Sequence, residues 1–202
     1  MIRTVGLCLV LSGVIGSVSY SQDKVPPTDA EKGAMAEIRK VGGQVMELAQ
    51  NDARLDVAYH LADGKIDDAS LAPLKNLPKL AQLNVRGKEI TDAGLVHIKD
   101  SKGLIRLHLE RTKVTDAGLE QLKGLENLEY LNLYGTAVTD AGLKHLEGLK
   151  KLKKLYLWET KVTDAGVAAL KAALPEIQIV RGVEPAKPPE AKPEEKKPEE
   201  KK

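Results

Sequence analysis

The chain has no phenylalanine, six other aromatic residues and one cysteine among its 202 residues. A core must therefore be filled by Leu, Ile, Val and Ala, and any aromatic placed on the surface is informative because so few are present. Cys8 has no second thiol to pair with, so an internal disulfide is excluded. Neither charge sign is in real excess: 31 basic side chains stand against 29 acidic ones, for a net charge of +2. A polyanion-binding footprint is absent, and nucleic acid is not an expected partner. No apolar run reaches the ~18 residues of a membrane span.

The longest apolar run, residues 5–18, follows Arg3 and has the size of a signal-peptide hydrophobic region. Small residues at Ser17, Ser19 and Ser21 offer cleavage after 19 or after 21, and the choice stays open. The expectation is a signal peptide over 1–21, a secreted or periplasmic location, and no membrane span once it is removed.

Four copies of one pattern occupy the middle of the chain, starting at Leu80, Leu104, Leu128 and Leu152 with a period of 24. Thr91, Thr115, Thr139 and Thr163 fill one column, and Asp92, Asp116, Asp140 and Asp164 fill the next. A degenerate copy precedes them, in which Tyr59, Leu61, Ile66, Asp68, Leu71 and Leu74 stand 24 residues before Leu83, Val85, Ile90, Asp92, Leu95 and Ile98. Fixed-period self-similarity of this kind predicts a solenoid. Leu107 and Leu109 alternate as a half-buried strand does, whereas Leu119 and Leu122 share one face of a short helix. Each Thr-Asp pair then marks a helix start, with the hydroxyl capping free N–H groups and the carboxylate favoured by the helix dipole.

The pattern L-x-x-L-x-L-x-x-T-x-V-T-D-A-G-L-x-x-L resembles the leucine-rich repeat, and its VTDAGL form is similar to repeats of secreted bacterial leucine-rich-repeat proteins. The resemblance implies an α/β solenoid, a short curved horseshoe with a parallel concave sheet, convex helices and an N-terminal helical cap. Thr112, Thr136 and Thr160 stand where that family usually carries Asn or Cys, with Lys88 in the first full copy. The expected division is a signal at 1–21, a helix-and-hairpin cap at 22–54, repeats at 55–183 and a disordered tail at 184–202. The cap reads from Pro26-Pro27-Thr28 with Glu31 as a capping box, then two strands around Asn51-Asp52. The tail holds six Lys, six Glu and five Pro, a composition that buries nothing.

Chemistry finds little support. His97 and His145 fall on the convex side, while His60 and His108 share a strand column with Asn84 between them, about 9–10 Å apart and too far for one zinc ion. All four read as solvated surface residues. The Asp column lacks the clustered carboxylates that calcium needs. No acid, base and nucleophile converge. Neither metal nor cofactor is expected, and the chain reads as no enzyme.

The strand residues between the inward leucines form three exposed columns: Ala58, Gln82, Arg106, Tyr130, Lys154; then His60, Asn84, His108, Asn132, Tyr156; then Ala62, Arg86, Glu110, Tyr134, Trp158. Tyr130, Tyr134, Tyr156 and Trp158 all land on two adjacent strands, and with Arg86 and Arg106 they form the candidate binding residues. Exposed Tyr, Trp and Arg dominate interface hot spots. The expected function is a non-enzymatic module recognising a protein or peptide on its concave sheet; the alternative is a structural envelope component without a discrete ligand.

Overall fold

A computed structural model describes residues 26–50 and 52–182. The expected signal at 1–21 and tail at 184–202 lie outside the described residues.

Helix α1 (Asp29–Lys40) is the first element of the described residues. Thr28 and Glu31 close its first turn reciprocally: the Glu31 N–H donates to Thr28 Oγ1 at 3.2 Å, and the Thr28 N–H donates to Glu31 Oε2 at 2.7 Å. Ala34 and Ile38 bury the inner face of α1. Strands β1 (Gln44–Ala49) and β2 (Asp52–Ala58) form an antiparallel hairpin. Beyond β2 every pairing is parallel: β3 (Leu80–Asn84), β4 (Arg106–His108), β5 (Tyr130–Asn132), β6 (Lys154–Tyr156) and β7 (Gln178–Val180) follow in sequence order in one seven-stranded sheet. β2 thus belongs both to the hairpin and to the parallel array, and the expected cap boundary at residue 54 falls inside it.

Connections between parallel strands are short helices. α2 (Asp92–Leu95), α3 (Asp116–Glu120), α4 (Asp140–Leu143) and α5 (Asp164–Ala173) line the convex side, with 3-10 turns over Asp68–Asn76 and Lys144–Leu146. From β3 onward the register advances by one full repeat at each step, so Leu83, Leu107, Leu131 and Leu155 are lateral neighbours with no exposure. A second inward column, Leu109, Leu133 and Leu157, is at most 2% exposed. Burying one such leucine contributes about 2 kcal/mol, and the repeat multiplies that term along the whole core.

The first coil departs from the expected 24-residue step. Val57 pairs with Leu83 and Ala58 with Asn84, an offset of two further residues. The helix half of the coil keeps the regular step, since Asp68 bonds Thr91 as Asp92 bonds Thr115. The two extra residues lie in the turn after β2. The first concave column therefore begins with Asp56 and the second with Ala58, while His60 sits in that turn and shares no column with His108. Leu61, aligned with the core residue Val85, is 63% exposed for the same reason, whereas Tyr59 is fully buried with its hydroxyl donating to the Ser70 carbonyl at 2.9 Å.

The Thr-Asp column also does more than cap its own helix. Asp92 Oδ1 accepts the Thr115 N–H at 2.7 Å and Oδ2 accepts the Thr115 hydroxyl at 2.6 Å, and Asp68, Asp116 and Asp140 repeat both bonds to Thr91, Thr139 and Thr163. Each carboxylate caps the helix of the following coil. Only Thr91 and Thr139 cap their own helices with the hydroxyl; Thr115 and Thr163 do not. The ladder also explains the glycine of each VTDAGL segment. A Cβ at Gly94 would come within 2.6 Å of Asp68 Oδ1, and one at Gly118, Gly142 or Gly166 would overlap the matching Asp oxygen. The last carboxylate of the column, Asp164, has no further coil to cap among the described residues and pairs with Arg181.

Candidate functional site on the concave sheet

Alternation in each strand sends one residue inward and the next outward, and the parallel register stacks equal positions side by side. The first concave column reads Asp56, Gln82, Arg106, Tyr130, Lys154, Gln178 and the second Ala58, Asn84, His108, Asn132, Tyr156, Val180. The third, Arg86, Glu110, Tyr134, Trp158, continues past the strand ends through backbone bonds such as Gly87 N–H to the Glu110 carbonyl and Gly135 N–H to the Trp158 carbonyl. Six parallel strands at ~4.8 Å give a face about 29 Å across.

The candidate residues fall into two contiguous rows. In one, Tyr130 meets Tyr156 at 5.4 Å between ring centroids and His108 at 4.8 Å, with the Arg106 guanidinium 5.0 Å from its ring. In the other, Tyr134 stacks on Trp158 at 5.3 Å, with the Arg111 guanidinium 5.1 Å from the Tyr134 ring and its Nη2 donating to Tyr134 Oη at 2.8 Å. Trp158 is 53% exposed. Its other side is covered by backbone: a Cβ at Gly182 would come within 2.5 Å of the indole, and that residue has a φ of 75°. Arg86 is exposed, but it joins neither aromatic row.

Three side chains of the face differ from expectation. Glu110, expected in the open, is 5% exposed: its Oε1 accepts the Asn132 amide at 2.7 Å and lies 2.8 Å from His108 Nδ1, while Oε2 is buried with no partner among the described residues. His108 is consequently a half-buried, anchored ring rather than a solvated one. His60, in the turn, also has a buried Nδ1 without a partner among the described residues. Asn132 and Asn84 each accept a hydrogen bond from the N–H two residues on, that of Tyr134 at 3.1 Å and of Arg86 at 3.2 Å, which fixes both amides.

The electrostatics follow from this layering. Burial pushes the Asp56 carboxyl above its ordinary range, against the pull of His108 and His60. Burial likewise raises the Tyr130 phenol. The Arg111 guanidinium is raised by its hydrogen bond to Tyr134, so it stays charged at any ordinary pH. Among the described residues, no three His, Cys, Asp or Glu side chains form a group that could hold a metal ion.

One further set of bonds decides the architecture. Thr112, Thr136 and Thr160 each turn their hydroxyl back onto the carbonyl three residues earlier, Leu109, Leu133 and Leu157, at 2.7–2.8 Å, closing the turn after each strand of a leucine-lined parallel coil. The architecture is that of a leucine-rich-repeat solenoid. In the first full repeat Lys88 replaces that hydroxyl and reaches across to the Ala62 carbonyl at 2.7 Å.

No protein-family model matches the chain, and no curated protein matches it. Solved leucine-rich-repeat structures do. Internalin C2 of Listeria monocytogenes is 26% identical, over 61% of this chain and 59% of its own, with a TM-score of 0.45. The leucine-rich-repeat ectodomain of the receptor kinase SOBIR1 of Arabidopsis thaliana is 15% identical, over 76% of this chain and 92% of its own, with a TM-score of 0.49. A leucine-rich-repeat protein of Leptospira interrogans is 20% identical, over 54% of this chain and 33% of its own, with a TM-score of 0.39. The chain thus spans about three fifths of the internalin's length. The solenoid is read from its own strand register, independently of these overlaps.

Proposed function

We propose that this leucine-rich-repeat protein is a non-enzymatic binding module, exported through the signal at 1–21 to a secreted or periplasmic location, whose concave sheet recognises a peptide or protein. One observation carries the reading: Tyr130, Tyr134, Tyr156 and Trp158, four of the six aromatic residues, stand on the concave face of two adjacent coils as two ring pairs, with Trp158 exposed and the three tyrosines half-buried. Their rings are held by neighbours in the fold, by Arg106, Arg111 and the backbone at Gly182. Contact area that is fixed before binding costs little entropy to use. An exposed aromatic patch on a rigid sheet is how proteins present hot spots.

The test is capture of partners from an extract of the exporting cell by the parent and by a Trp158→Ala/Tyr134→Ala variant. Loss of these two anchors should weaken capture by roughly 30-fold or more, the effect of a hot spot of about 2 kcal/mol. The urea midpoint should move little, since both rings lie outside the leucine core. Equal capture by parent and variant would remove the aromatic patch from the binding surface. A structural envelope part without a ligand would show no dependence on these rings.

A further inference from the structure

Charge on the concave face is layered, and the layering points to the chemistry of the ligand. Arg86, Arg106 and Lys154 are exposed, and none forms an ion pair among the described residues. The carboxylates of the same columns lie lower. Glu110 is 5% exposed and committed to His108 and Asn132, and Asp56 is half-buried, with burial working against its ionised form. A ligand approaching the sheet meets cations first.

One of these cations, Arg106, and a fourth, Arg111, are also pre-positioned. Arg106 rests on Tyr130, which is itself braced by His108 and Tyr156. Just beyond the third column, Arg111 rests on Tyr134, which is braced by Trp158. A guanidinium stacked on a ring keeps its N–H edge free for a carboxylate and has already lost the side-chain freedom that binding would otherwise cost. Both rows run the same way across the coils, from an arginine of the β4 coil to an aromatic ring of the β6 coil. In the second and third columns the face is therefore polarised, with Arg86 and Arg111 on the β3 and β4 coils and Tyr156, Trp158 and Val180 toward β6 and β7, whereas the first column carries a cation at both Arg106 on β4 and Lys154 on β6.

Resting on the reading of this face as a peptide site, we infer that its ligand is an acidic peptide lying across the strands, with Asp or Glu carboxylates over Arg86 and Arg106 and an apolar or aromatic side chain against Trp158 and Tyr156. A basic peptide would meet Arg86, Arg106 and Lys154 while Glu110 beneath is buried and bonded to Asn132 and Asp56 is half-buried, and like charges brought together cost affinity. A nucleic acid is the weaker occupant. Tight phosphate binding draws on about 6–10 contacts, and this face offers four cations, one of them beside Glu159.

The test pans a random peptide library on phage against the immobilised full chain, and then measures the enriched peptides by fluorescence anisotropy. Asp and Glu should be enriched together with an aromatic or aliphatic residue toward one end, and affinity should fall about tenfold between about 0.05 and 0.5 M salt. An Arg86→Glu/Arg106→Glu variant, shown to fold by circular dichroism, should lose the acidic peptides and select basic ones; an Arg86→Gln/Arg106→Gln variant should lose the acidic bias without reversing it. Enrichment of neutral or basic peptides by the parent overturns this inference and leaves the peptide site standing. Tighter binding of an oligothymidylate probe than of the enriched peptides also overturns it. Failure to enrich any peptide overturns the peptide site itself, and the inference with it.

Discussion

Alanine is a better helix former than glycine by about 1 kcal/mol, so Gly142→Ala in α4 should stabilise the protein if the helix stood alone. The Asp–Thr ladder reverses that sign. A Cβ at 142 would overlap Asp116 Oδ1, lie 3.0 Å from its Cγ and lie 3.1 Å from Leu119 Cδ1. The carboxylate cannot yield without stretching its bonds from the Thr139 N–H and hydroxyl, at 2.7 and 2.6 Å. Hydrogen bonds to a charged acceptor contribute about 1.5–3 kcal/mol each, so loosening both costs roughly 3 kcal/mol and leaves about 2 kcal/mol of net destabilisation after the helix gain. The assay is urea unfolding of the parent, Gly142→Ala, Asp116→Ala and the double variant. Once Asp116 is gone the added methyl meets only the tip of Leu119, so Gly142→Ala should then be neutral or stabilising, with a coupling energy of at least about 1.5 kcal/mol. A stabilising single variant, or simple additivity, would refute the ladder as the reason for the glycine column.

Glu159 sits at φ 54°, in the column where Gly87 and Gly135 take left-handed values without cost, so Glu159→Gly should raise stability by about 0.5–1 kcal/mol in urea unfolding; a loss of stability would contradict the strain argument. Asp140 is held below the ordinary carboxylate range by the hydroxyl and N–H of Thr163, so its contribution is complete above the unfolded value near ~3.9 and is lost as pH falls through the lower folded value. Asp140→Asn should therefore be less stable than the parent at neutral pH, with a gap that closes as the solution is acidified toward the folded-state pKa; a gap independent of pH would show that ionisation plays no part.

Much of this architecture was legible because four copies keep identical spacing, and identical spacing leaves the strands one way to stack. The first coil misled for a physical reason. Ile66, Asp68, Leu71 and Leu74 match the helix half at 24 residues, but the turn after β2 holds two more residues, so the strand half slips and Leu61 comes out of the core. The inter-coil role of the Asp column was hidden because its partners lie 23 residues away in the neighbouring coil. The signal was nonetheless present, in a glycine that recurs 26 residues after each Asp from Asp68 to Asp140. Alternation alone placed Glu110 on the surface, since period two says which way a side chain points and nothing of how its neighbours cover it. The aromatic patch was readable from columns alone, whereas its Arg111 member was not, because that residue stands one position beyond the alternating strand at a φ of 53°.

Trp158 is the one tryptophan of the chain, so the protein carries a built-in reporter within its proposed binding surface. The most direct measurement is the emission and acrylamide quenching of Trp158 during titration with a captured partner or an enriched peptide. The account predicts an emission shift and reduced quenching that saturate together with binding. A partner that binds tightly while the emission and quencher access of Trp158 stay as they were would contradict it.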